Sequence, residues 1–458
     1  MSQNREQWGS KLGFILAASG SAVGIGNIWK YPHMAGQNGG AAFTLVYLAC
    51  ILVVGLSIVI AEFVIGRKTQ LSPVGAFEQL APSTNWKWVG FLGVASAFVI
   101  LSFYGVVGGW VLKYVIVSIT GGFNELAGDP DAAGNVFNTF ITDTWSPIIY
   151  QVFFMAFCVW VIVNGVKGGI EKWSKIMMPL IVVLLAVLAV RGMTLPGGMK
   201  GISFLFNPRF EDLTANSIVL ALGHSFFTVS LGMGTMITYG SYLNRKQNLL
   251  NAALWVIALD TAIAMLAGIA IFTTVFALGA NPAEGPGLIF VVLPSVFSQL
   301  AGGTLWGTMF FVLLFMAALT SAISILEVVT AYFIDQKGWS RKKATIQFGA
   351  VITIVGVFCS LSMGGGVNIT EFLGMTFFDV MDYLSAKYML PIGGMLTAIF
   401  ILRKWGISNY MAELKSGMGD TNISSRLVQV VLTIAAAVVA FIIFNEVYAE
   451  IFGKALIG

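Results

Sequence analysis

Long apolar runs separated by short polar stretches fill this sequence from end to end. A helix needs about 20 mainly apolar residues to cross the hydrocarbon of a bilayer. Eleven segments meet that requirement, near 11–37, 41–66, 88–120, 147–165, 170–190, 214–240, 248–279, 303–334, 344–362, 372–402 and 427–452. Several exceed the minimum, which predicts tilt or interruption. The pattern predicts an all-α membrane protein with eleven transmembrane helices. Periodicity does not separate buried from lipid-facing positions, because both are apolar.

Composition agrees and narrows the function classes. Of 458 residues, 57% are hydrophobic and 10% are charged. A soluble domain carries roughly 25% charged residues. A soluble enzyme, a nucleic-acid binder and a disordered chain are thereby excluded, and the expected surroundings are a lipid bilayer. Cys50, Cys158 and Cys359 each sit in an apolar run, with no spacing that suggests a disulfide framework or zinc site. Two histidines, His33 and His224, are too few for a His-rich metal centre. No HExxH motif or intramembrane Ser/His pair supports an enzyme, and no organic cofactor is expected. The polar start, MSQNREQWGSKLG, lacks a cleavage pattern after it, so the first apolar stretch is expected to be a retained helix.

Lysine and arginine in the loops set the expected orientation. Arg5, Lys11, Arg67, Lys68, Lys87, Lys167, Lys172, Lys175, Arg245 and Lys246 fall on one side, with Lys337, Arg341, Lys342, Lys343, Arg403, Lys404, Lys415 and Arg426. The other side receives Arg191, Lys200, Arg209 and Lys454. This asymmetry predicts a cytoplasmic N-terminus and, with eleven spans, a C-terminus outside.

Glycine in the middle of two spans is the informative anomaly. The first span contains Gly24-Ile25-Gly26 and the sixth contains Gly232-Met233-Gly234. Glycine lets a backbone leave helical angles. Unwound backbone is tolerated at membrane depth only where protein or a water-filled cavity satisfies it. The two breaks lie five spans apart, and an odd number makes the halves run in opposite directions. The prediction is one transmembrane unit over 1–458. It consists of a first repeat over 1–190, an inverted second repeat over 214–402, and an added helix at 427–452. Secondary transporters built this way bind substrate near the midplane. Exposed carbonyls at a half-helix end suit a cation, and free amides at a half-helix start suit a carboxylate. Ser21, Asn27, Thr228, Ser230, Asp260, Thr320 and Ser321 add oxygen donors within otherwise apolar spans.

At these residues the sequence resembles a known family. The run GSAVGIGNIWKYPHMAGQNGGAAF is similar to the first-helix signature of the neurotransmitter:sodium symporters. FFTVSLGMGTMITYGSY, ALTSAISI and DVMDY resemble that family's helices 6, 8 and 10. The resemblance covers nearly the whole chain and implies a 5+5 inverted repeat with unwound helices 1 and 6. It also implies two sodium sites. The first would use Ala22, Asn27, Thr228 and Asp260; the second Gly20, Val23, Ala317, Thr320 and Ser321. By the same resemblance a substrate carboxylate would meet Ile25, Gly26 and Tyr104. Its ammonium would meet Ala22, Phe227 and Ser230, with Thr228 adjacent. The side-chain pocket would be Ile100, Phe227, Met233, Ser321 and Ile325. That pocket carries no charge, which favours a hydrophobic or aromatic amino acid.

The resemblance also assigns gates. Arg5 and Asp335 match an inner pair, with Trp8 and Tyr242 beside it. Lys30 and Asp382 match an outer pair in which lysine replaces the family's arginine, so a looser or water-mediated contact is expected. Gly169, with Pro179 ten positions on, marks a breakpoint at the start of helix 5. Asp260 stands where most relatives have asparagine. The family's chloride-site serine and glutamine are here Ala264 and His224, so a fixed carboxylate replaces the anion and chloride-independent transport is expected. Glu62 falls beside the unwound segments; Glu327 and His224 receive no role.

The implied function is sodium-coupled import of a hydrophobic or aromatic L-amino acid by alternating access. The expected location is a bacterial cytoplasmic membrane, as monomer or homodimer. The rival readings are a related inverted-repeat transporter with different ion coupling, and an amino-acid sensor or channel.

Overall fold

The computed structural model describes residues 5–126, 129–279, 287–364, 374–418 and 423–452. Lys454 lies outside the described residues. Among the described residues, nine helices are continuous, long and apolar enough to cross a membrane. They are α2 (Ala41–Thr69), α3 (Lys87–Ile119), α4 (Ser146–Val163), α5 (Val166–Thr194), α7 (Leu249–Ala277), α8 (Gly303–Lys337), α9 (Arg341–Leu361), α10 (Phe377–Trp405) and α11 (Ser425–Phe452). A tenth span, α1, is a pair, Lys11–Ala22 and Gly26–Gln37, bent by 52° at its break. The remaining one, α6, is divided more widely into Ala215–Thr228 and Thr235–Gly240. Neither half of α6 is long enough to span alone. The expected segments thus all appear as helices, with α5 starting a turn earlier than its apolar run implied.

Local chemistry sets the helix ends. The Ser10 hydroxyl accepts the Gly13 amide at 3.0 Å and caps α1. Thr214 and Ser217 cap each other's backbone at the start of α6. Ser340 caps α9. Gly338, at φ +65°, ends α8 in the left-handed region, where a side chain would be strained.

Burial ranks the helices. In its apolar stretch α8 is 83% buried and α3 is 72% buried, whereas α11 is 22% buried. Helix α8 therefore lies centrally, packed along α3 and against α1, α4, α5 and α9, while α11 rests on α10 at the periphery. On α5 the exposed apolar residues Ile176, Leu180, Val183, Val187 and Val190 recur every three or four positions. One helical face is thus turned outward, as lipid contact requires. The core gathers on the opposite side, around the two broken helices.

Candidate functional site

The two breaks face each other. Helix α1 stops at Ala22, Val23 turns extended at φ −76°, ψ 98°, and regular structure resumes at Gly26. In α6 the chain leaves the helix at Val229 and passes through Ser230, Gly232 and Gly234 at φ +54°, +76° and +76°. Gly232 lies so close to the Leu390 carbonyl of α10 that a Cβ would overlap it. Ser230 holds the same left-handed region without being glycine, and its hydroxyl donates to the Ser21 carbonyl at 2.9 Å. That bond ties the two unwound segments together. The buried Glu62 of α2 accepts the Gly232 amide at 2.8 Å and lies beside the amides of Met236 and Ile237. A carboxylate at the start of the second half of α6 meets the positive end of that helix.

Between the breaks lies a narrow cavity of about 20 Å³. Of the expected substrate residues, Ala22, Gly26, Ile100, Tyr104, Phe227, Thr228, Ser230, Met233, Ser321 and Ile325 line it. Ile25 does not. It faces a neighbouring cavity of about 40 Å³ toward Lys30 and Asp382, and its amide donates to the Tyr104 hydroxyl at 3.3 Å. Tyr104 and Phe227 border both cavities and form the partition between them. Gly24 also lines the central cavity. A Cβ on it would stand 2.6 Å from the Ser321 hydroxyl and 3.1 Å from that of Tyr104, so any larger residue would force these hydroxyls to shift.

Two oxygen clusters flank the cavity. In the first, Asp260 is fully buried. One carboxylate oxygen accepts from Asn27 at 2.7 Å and Thr228 at 2.9 Å; the other accepts from the Tyr47 hydroxyl at 3.0 Å. All these partners are neutral. A buried carboxylate without a cation carries a large desolvation cost, so this group of oxygens suits a small hard cation. In the second cluster the Thr320 hydroxyl lies 3.5 Å from the Val23 carbonyl and 3.0 Å from that of Ala317. The Ser321 hydroxyl lies 3.5 Å from Gly20 O and 3.4 Å from Val23 O. Carbonyl and hydroxyl oxygens from α1 and α8 thus converge, the donor set that alkali and alkaline-earth cations take. Among the described residues no cluster of three His, Cys, Asp or Glu side chains offers a transition-metal centre.

Charged pairs close both ends. Arg5 pairs with Asp335, donates to Ser241 at 2.7 Å, and stacks over Tyr242. Trp8 donates its indole N–H to the Tyr239 carbonyl at 3.0 Å. At the opposite end Lys30 meets Asp382 directly at 3.2 Å and lies over the Phe227 ring at 4.3 Å. The contact is a single point and needs no bridging water. Gly169 sits in a π-helical turn, Val166–Glu171, at the start of α5, and Pro179 lies inside the same helix.

The structure adds partners that sequence reasoning missed. Glu327, fully buried on α8, accepts from Tyr242 and pairs with Arg341 at 2.7 Å. Arg341 also pairs with Glu6 at 2.8 Å. A usable signal existed, since an acid within a span demands a cation and Arg341 opens the next helix. Tyr47 gave no signal, because its hydroxyl is one of many on apolar helix faces. His224 is buried between the Tyr31 and Tyr47 rings, and among the described residues neither ring nitrogen has a hydrogen-bond partner. It does not pair with Asp260.

Comparisons with known proteins place this arrangement. A profile described as the sodium:neurotransmitter symporter family matches residues 5–127 and 141–453. An uncharacterized sodium-dependent transporter of Bacillus subtilis, YhdH, is 41% identical over 415 residues, covering 91% of each chain. A Haemophilus influenzae protein, likewise described as an uncharacterized sodium-dependent transporter, is 35% identical over 87% of this chain and 89% of its own. Among solved structures, the crystal structure of MhsT in complex with L-phenylalanine matches with a TM-score of 0.87 and 47% identity. It covers 96% of this chain and 99% of that one.

Proposed function

The chain belongs to the sodium:neurotransmitter symporter family and is a multi-pass sodium-dependent transporter, and on that premise we propose that it imports a hydrophobic or aromatic L-amino acid together with two sodium ions. The carrying observation is the narrow cavity between two interrupted helices, flanked by two oxygen clusters. A bound amino acid places its carboxylate against Tyr104 and the amides that follow the α1 break. Its ammonium faces the carbonyl-rich side at Ala22, Phe227 and Ser230. Ile100, Met233 and Ile325 surround the side chain. Among the described residues no charged side chain lines the cavity, so a charged substrate side chain would lie buried without a partner.

A sodium ion between Asn27, Thr228 and Asp260 replaces the hydrogen bonds these groups exchange and neutralises the carboxylate. The substrate carboxylate completes that site, so each ligand raises the affinity for the other. The second ion, at Gly20, Val23, Ala317, Thr320 and Ser321, bridges α1 to α8 and favours closure. Arg5–Asp335 is the inner gate and Lys30–Asp382 the outer, with the N-terminus in the cytoplasm of a bacterial cell and the C-terminus outside. The two broken helices, five spans apart, correspond in an inverted repeat. Alternating access follows when one charged pair opens while the other stays shut.

Sodium-gradient uptake into proteoliposomes against a panel of twenty amino acids tests this reading. Uptake of phenylalanine, tryptophan, tyrosine or leucine is expected, abolished without sodium and unchanged when gluconate replaces chloride. Selectivity for glycine or a charged amino acid would overturn the substrate class; a chloride requirement would overturn the role given to Asp260. Gly24→Ala intrudes on the carboxylate end of the cavity. Forcing one extra carbon into packed space costs about 1–3 kcal/mol, so substrate affinity measured by equilibrium binding should fall roughly 10- to 100-fold.

A further inference from the structure

Asp382 rides on a stretch of α10 that has little packing of its own. The inner half of α10 is fixed, because Gly393 and Gly394 press on Gly232 and Phe226 of α6 so closely that a Cβ on either would overlap them. The outer part, Phe377–Leu384, contains no buried residue. A π-helical turn, Ser385–Met389, joins the two, and Pro391 follows it. A π turn loosens the regular ladder and proline offers no N–H to it, so α10 has a soft joint close to Asp382. The outer part is held from α11. Glu446 and Glu450, four positions apart, share one face of that helix. Glu446 pairs with Lys387 at 2.7 Å. Glu450 accepts from the Tyr383 hydroxyl, and from that of Tyr388 at 2.5 Å. Lys387 lies over the Tyr383 ring at 4.7 Å, and the two tyrosine rings meet edge-on at 6.0 Å. Tyr383 directly follows Asp382 in the chain, so α11 grips α10 at the level of the Lys30–Asp382 pair.

We propose that Glu450, with Glu446 beside it, positions the outer gate: it holds the outer part of α10 where Asp382 reaches Lys30, and the π turn is the joint about which that part swings when the pair opens. The Lys30–Asp382 contact is a single point between two partly exposed side chains. Such a contact contributes little by itself and does not fix a helix. Lysine in place of arginine also forgoes a planar two-point grip on the carboxylate. The α11 cluster supplies what the pair lacks, since two tyrosine hydroxyls on one carboxylate make charge-assisted bonds. Glu450 touches neither the substrate cavity nor the oxygen clusters; it acts through Asp382. The inference rests on the transport reading for which end is the outer one.

The test uses the full chain with Cys50, Cys158 and Cys359 replaced by alanine. Val107→Cys, in the cavity beside Lys30 and Asp382, is the reporter. A membrane-impermeant maleimide is applied to right-side-out vesicles in sodium with every standard amino acid except cysteine present. The parent should label slowly. Glu450→Ala should speed labelling about fivefold, the scale of losing an exposed charged contact. Tyr383→Phe with Tyr388→Phe removes the donors and should do the same. Glu450→Gln keeps an acceptor oxygen without the charge and should fall between parent and alanine; it carries the test should the alanine variant not fold. In an Asp382→Asn background Glu450→Ala should add little, because two changes on one route do not sum. Parent-like labelling of Glu450→Ala and of the tyrosine double variant would overturn the proposal. An undiminished fivefold rise in the Asp382→Asn background would overturn the route through the gate. The ratio between variants does not depend on which amino acid is carried, so a failed uptake panel and a failed positioning role are separate results.

Discussion

Replacing Asp260 with alanine should raise the sodium concentration for half-maximal substrate binding by about 10- to 100-fold, the range set by losing one charged acceptor. Asp260 is fully buried, and both its oxygens are engaged by Asn27, Thr228 and Tyr47. Alanine removes the negative charge and leaves those three donors facing an apolar gap. Asp260→Asn keeps an oxygen but not the charge, so its effect should be smaller, near the lower end of that range. Radiolabelled substrate binding to purified protein over a sodium titration measures both. The alanine variant should also lose sodium-driven uptake, because the site that couples ion to substrate carboxylate is gone. Unaltered sodium dependence in a folded Asp260→Ala protein would remove Asp260 from the first site.

Arg341→Ala should be among the most destabilising single changes at the Arg5 end. The Arg341 guanidinium pairs with the fully buried Glu327 and with Glu6, joining α8, α9 and the segment before α1. Removing one member of a buried ion pair costs roughly 3–5 kcal/mol, because the remaining charge stays desolvated. Glu327→Gln in the same chain removes that stranded charge, and Tyr242 retains an acceptor there. The double variant should therefore regain much of the loss. Thermal unfolding in detergent with sodium and substrate present compares the three proteins. A double variant no better than Arg341→Ala would show that the cost comes from lost packing and not from the stranded charge.

The membrane class, the helices and the two interruptions were legible because each depends on local composition. An apolar run of sufficient length must become a helix in lipid, since no other conformation satisfies its backbone there. Gly24, Gly26, Gly232 and Gly234 marked where that rule is broken. The family resemblance then assigned most cavity residues, and ten of them do surround one space. The side chain of Ile25 lines the adjoining cavity, while its amide, the group the resemblance invoked, stays beside Tyr104. The span over 170–190 began too late because Lys167, Gly168 and Gly169 read as loop, although they lie in a helical turn whose first amide, Val166, donates to Glu6.

Charge scarcity singled out Asp260 and Glu62 but left Glu327 without a role, although an acid within a span is costly wherever it lies. It did not show their partners. Asp260 meets Tyr47 from another helix, Glu62 meets the amide of Gly232, and Glu327 meets Arg341. Each contact joins residues distant in the chain, and side chains on an apolar helix carry no local sign of which neighbour they face. By itself the sequence determined a bundle of membrane-spanning helices, two of them broken, with few charges inside. Only tertiary packing decided which oxygens converge into a site and which acids hold the helices together, because a hydrogen bond is set by distance and direction in space.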